Sequence, residues 1–184
     1  MAIKQLDLII HPFYDKNQEG KMDAWKERIN AIAKNRGHFL AIRAHRHDLT
    51  TTKAREAIAT LHKYALEKLG AGRVFFVQDP LDGDKEKRSY ADLTRQMAVP
   101  GWDPRQIKVN LYGEYAEYCV VSGITGFMPL VVPKPRIRQA SRVLLRLTDG
   151  HTWGLPSIKK IGHRNYSQAR KNIRDAYATT RSRA

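Results

Sequence analysis

Cysteine occurs once in the 184 residues, as Cys119. No intramolecular disulfide can form, and no paired-cysteine zinc spacing exists. Such usage suits a reducing compartment. Long apolar runs are lacking too. The opening AIKQLDLII is interrupted by Lys4 and Asp7, and nowhere do about 20 apolar residues follow one another, so neither a signal-peptide core nor a membrane span is expected. A soluble, cytoplasmic protein is the expectation. Phosphate-cradling glycine motifs are also missing. Gly70-Ala71-Gly72 closes a helix and precedes a strand, the wrong order for a dinucleotide fingerprint, and no GK[ST] is present. A standard NAD or P-loop assignment is excluded, and the cofactor is left unknown.

Acidic residues are scarce in one region only. Residues 134–184 hold 13 Lys+Arg against 2 Asp+Glu (Asp149 and Asp175), a balance of +11. Residues 1–133 hold 20 against 16, a balance of +4, and the two sum to the formal net charge of +15. The junction falls at Pro133-Lys134-Pro135. We therefore divide the chain into an α/β core, 1–133, and a basic, mainly helical extension, 134–184.

Within the core, apolar runs alternate with amphipathic stretches. LDLII (6–10), HFLAIRA (38–44), RVFFV (73–77) and the run from Ile107 read as strands. MPLVV (128–132) is a fifth candidate, with Pro129 placing it at an edge. Between them, 22–36 carries Trp25, Ile29, Ile32 and Ala33 at helical spacing. A second helix, capped near Thr50 to Thr52, runs to Gly70, and 86–97 presents Tyr90, Leu93 and Met97. The alternation predicts an α/β three-layer sandwich on a largely parallel, four- to five-stranded Rossmann-like sheet.

In a parallel sheet the residues after each strand meet at one rim. His11 follows the first strand, His45 and His47 the second, Asp79 the third, and Gly113 and Cys119 the fourth. Histidines and carboxylates so gathered suit general acid–base work, with a thiol as nucleophile. We select His11, His47, Asp79 and Cys119 as the candidate catalytic set. No metal ligands are assigned, because His-x-His followed by Asp matches no specific metal spacing. Packing is the plainer account of Cys119, since free cysteine is among the most buried residue types. Ser122 to Gly126 has the small residues that let a backbone approach a phosphate, but it is not a Walker motif and suits a loop between helix and strand as well.

The fragment GEYAEYCV, residues 113–120, resembles the strand–loop–helix segment of isochorismatase-like cysteine hydrolases, in which the nucleophilic cysteine begins a helix followed by valine. That family places an aspartate at the end of its first strand, where this chain has His11. It also places a lysine after the third strand, where only Lys85 and Lys87 stand in a charged loop. The resemblance implies a nucleophilic Cys119 and does not carry the family's triad across.

The extension suggests a different activity. Arg136, Arg138, Arg142 and Arg146 line one edge of a predicted helix, Lys159, Lys160 and Arg164 follow in a loop, and Arg170, Lys171 and Arg174 sit on a last helix. Trp153 and Tyr166 are interleaved aromatics able to stack on bases. The leading expectation is a nucleic-acid or other polyanion binder acting through this region. A hydrolase of a small anionic or nucleotide-like substrate at the sheet rim is the alternative. An acidic protein partner is a further candidate occupant of the basic region, and no membrane partner is expected.

Overall fold

The structure, a computed structural model, describes residues 3–13, 21–45, 51–80, 85–98, 108–113, 119, 122–127, 130 and 175. Four parallel strands form the sheet: β1 (Gln5–Ile10), β2 (His38–Ala44), β3 (Val74–Gln78) and β4 (Lys108–Gly113). Their spatial order is β3-β2-β1-β4. Helices α1 (Lys21–Ala33), α2 (Thr52–Leu69) and α3 (Lys85–Ala98) connect successive strands. This is the expected α/β fold. Leu130, the one described residue of the fifth candidate strand, is helical and exposed. Of the extension only Asp175 is described, helical and exposed. The rest of 134–184, with all ten basic candidates, Trp153 and Tyr166, lies outside the described residues.

Strand alternation assigns the two faces. Ile9, Leu40, Ile42, Ala44 and Val74 pack with Trp25, Ile29 and Ile32 of α1 and Ile58, Leu61, Ala65 and Leu69 of α2. The alternate positions, Leu6, Leu8, Ile10, Phe39, Ala41, Phe75, Val77 and Leu111, are equally buried on the opposite face. There α3 contributes Tyr90, Leu93 and Met97, all fully buried. Strands covered on both sides explain why the runs are nearly continuous in apolar character. The helix boundaries have local causes. Thr51 caps α2 by accepting the Ala54 N–H at 3.2 Å. Gly70, at φ 83°, ends the helix where a side chain would be strained. Arg73 precedes β3 and donates to the carbonyls of Ile32, Asn35 and His38, tying the end of α1 to the start of β2.

One buried acid belongs to the fold. The Asp7 carboxylate accepts hydrogen bonds from Gln5, Asn110 and Tyr112 at 2.8–3.0 Å. Burial, then the Asp7 charge, pushes the Tyr112 hydroxyl far above its usual range. Tyr112 packs with Trp25 and Ile29 on the α1 side of the sheet, where Arg28 lies 4.8 Å over its ring.

Candidate functional site

With β1 between β2 and β4, the chain runs to one side of β1 through β2 and β3, then to the other through β4. Open α/β sheets place ligands outside the carboxyl ends of the two strands flanking such a reversal. Here those ends are His11 and Gly113. The ladder extends one step past the strands: the His11 N–H donates to Arg43 O at 2.8 Å and the Asp79 N–H to Ala44 O at 3.1 Å. His11 then leaves the sheet at φ 54°, the one non-glycine with positive φ among the described residues. Such a backbone costs on the order of 1–3 kcal/mol and must be held by its surroundings. Trp25 contributes to this by donating its indole N–H to Pro12 O at 3.0 Å.

From this backbone the His11 ring sits between Cys119 and Asp79. Its Nδ1 lies 3.8 Å from Cys119 Sγ, and its Nε2 lies 3.5 Å from Asp79 Oδ2. All three residues are buried. His45, half-buried at the end of β2, packs edge-on against His11 with ring centroids 4.6 Å apart. Three of the four selected residues thus come together. His47 lies outside the described residues. His45 joins the group instead, and the signal for it is the one that marks His11: it follows the last strand residue directly.

A second group supports the first and carries no mark in the sequence beyond a charge inside HFLAIRA. Arg43, 1% exposed, grips Asp79 with a two-pronged contact, Nε to Oδ1 at 2.7 Å and Nη2 to Oδ2 at 3.1 Å. Its Nη1 donates to Tyr90 Oη at 2.8 Å and Ser122 Oγ at 2.9 Å. Ser89 donates to Asp79 Oδ1 at 2.8 Å. Burial alone would raise the Asp79 pKa. The His11 imidazole 3.5 Å away, the Arg43 charge, and hydrogen bonds from Arg43 and Ser89 outweigh it and bring the pKa down to about 2. Asp79 is thus an anion at neutral pH, as an orienting partner for a histidine has to be.

Glycines let the segment after β4 close over this group. A Cβ on Gly113 would sit 2.3 Å from Cys119 Cβ. A Cβ on Gly126 would meet the Tyr90 ring at 2.5 Å, and one on Gly123 would meet Ile10 at 2.7 Å. The Ser122 to Gly126 stretch is therefore not an open loop. Gly123–Phe127 is a π-helical turn packed against α3 and the sheet, a form that recurs at functional sites. Gly113→Ala is expected to cost about 1–3 kcal/mol through overpacking and to push Cys119 off His11. Chemical denaturation, with thiol labelling as the positional readout, measures both effects, and an alanine variant with wild-type labelling would contradict the close approach.

Comparison with protein-family models, curated proteins and solved structures gives no match. The likeness to cysteine hydrolases stays confined to residues 113–120. Among the described residues, no helix is long and apolar enough to cross a membrane.

Proposed function

We propose that the chain is a hydrolase whose nucleophile is Cys119, acting on a small substrate at the sheet rim between β1 and β4. The observation that supports this reading is the continuous line Cys119–His11–Asp79. A neutral His11 that donates Nε2–H to Asp79 presents the Nδ1 lone pair to the thiol. The thiol proton passes to Nδ1, and the thiolate forms a C–S bond to the substrate's carbonyl carbon. Collapse of the adduct expels the leaving group, which takes the proton from Nδ1. Water, deprotonated by the same nitrogen, then cleaves the thioester and restores the thiol. Asp79 fixes the tautomer and supports the transient imidazolium, and Arg43 holds Asp79 in place. The test uses p-nitrophenyl acetate as a generic ester. Wild type is expected to give a stoichiometric burst with Cys119 acylated, and His11→Ala a rate lower by about 10²-fold or more, the size of general acid–base contributions. No acylation at Cys119, or an equal rate in His11→Ala, would sink the reading.

A second reading is favoured by the charge of residues 134–184, +11 from 13 basic and 2 acidic residues. Such a segment suits phosphate contacts to nucleic acid. Affinity of the full chain for single-stranded RNA is expected to fall as a power of salt concentration. Neutralising Arg136, Arg138, Arg142 and Arg146 together is expected to flatten that slope by roughly three counterions, at about 0.7 per phosphate contact on a single strand. Salt-independent binding, or no binding at low ionic strength, would remove it.

A further inference from the structure

We propose that His11, His45 and Asp79 form a site for a divalent transition metal of the zinc type. One ligand atom from each of these residues lies within 4.8 Å of the other two. His11 Nε2 and Asp79 Oδ2, at 3.5 Å, are already near the spacing of two ligands about 2.0–2.2 Å from a common ion. Two imidazoles and one carboxylate leave a coordination position open and select a borderline metal over magnesium or calcium. The surroundings have the form of a metal site's outer layer. Asp79 is braced by Arg43 through both carboxylate oxygens and by Ser89 through Oδ1, and its Oδ2 also faces His11 Nε2. The other ring nitrogen of His11 faces Cys119 Sγ, an acceptor for the N–H that a ligating histidine donates outward. Cys119 lies on the far side of the ring and is outside the ligand set.

The consequence for Cys119 rests on the hydrolase reading. His11 as base needs its lone pair on Nδ1 and its proton on Nε2; His11 as ligand needs the reverse tautomer. One imidazole cannot do both, so a bound ion withdraws the base from the thiol. Metal occupancy is an off-state of the enzyme.

Zinc is titrated calorimetrically into the full-length, untagged protein, with cobalt absorption as the spectroscopic partner. Wild type and Cys119→Ser are expected to bind one ion per chain with affinities within about threefold, and cobalt to show no thiolate charge-transfer band. His45→Ala and His45→Gln, at a half-buried position with circular dichroism as the folding check, are expected to weaken binding at least about tenfold. Binding unchanged in both His45 variants, binding lost in Cys119→Ser, or a thiolate band would overturn the site. Iodoacetamide labelling of Cys119 then tests the coupling separately. Zinc at a concentration that fills the wild-type site but not the weakened His45→Ala site is expected to slow it at least about tenfold in wild type and to leave His45→Ala unaffected. Zinc bound through His45 with unchanged labelling would overturn the off-state alone, whereas failure of ester hydrolysis in metal-free protein would overturn the hydrolase reading and leave the titration as it stands.

Discussion

Arg43→Ala is expected to destabilise the protein by about 3–5 kcal/mol, the usual cost of removing one partner of a buried ion pair. The side chain makes four hydrogen bonds to three residues, all buried. Its truncation leaves the Asp79 carboxylate inside the protein without a cation. The Tyr90 and Ser122 hydroxyls, 2.9 Å apart, lose their shared donor. For a chain of this size the loss corresponds to roughly 6–20 °C in melting temperature. Arg43→Lys keeps a charge but not the planar fork, so it cannot serve both carboxylate oxygens and the two hydroxyls together. It should fall between wild type and Arg43→Ala. The double variant Arg43→Met, Asp79→Leu distinguishes the cause. If the stranded charge dominates, the double variant is more stable than Arg43→Ala, because both charges have gone. If lost packing dominates, it is not. A loss below about 1 kcal/mol in Arg43→Ala would show that the network contributes little.

That network also marks where the sequence stops being legible. The strands and helices follow from local patterning. HFLAIRA is bounded by Gly37 and the polar His45 onward, and β2 occupies those seven residues. The convergence of strand ends follows from parallel topology alone, which is why His11, Asp79 and Cys119 can be selected before any coordinates are known. The neighbours of each strand end are another matter. They depend on the order β3-β2-β1-β4, which places His11 between Cys119 on one side and His45 and Asp79 on the other. Periodicity does not encode that order. Arg43 is the hardest case. Its partners Asp79, Tyr90 and Ser122 stand 36, 47 and 79 residues further on, and in a linear reading it is only an interruption of an apolar run. Tyr90 likewise counts as one apolar step of α3 until its hydroxyl is seen on the guanidinium. A charge inside a doubly covered strand has to be paired, and that rule marks Arg43 as one end of a buried polar network without naming its partner.

Acid should remove what Arg43 and His11 contribute through Asp79. The carboxyl's folded-state pKa of about 2 lies below the ordinary aspartate value of 3.8, so folding favours the ionised form. A depressed acid stabilises the native state fully above its unfolded pKa and loses that contribution as pH falls through the folded value. The window is therefore pH 4 down to pH 2. The amount is about 2 kcal/mol, because each tenfold change in proton affinity is worth about 1.36 kcal/mol. Comparing wild type with Asp79→Asn isolates it. Asparagine cannot ionise, so the stability gap between the two proteins should be flat from about pH 7 to pH 5, then close by about 2 kcal/mol towards pH 2. Urea titrations at each pH provide the measurement, and they separate this site from the general repulsion that grows in acid on a chain with formal charge +15. A gap that stays constant to pH 2 would mean that Asp79 titrates alike in folded and unfolded chains, and its hold on His11 would then be geometric rather than electrostatic.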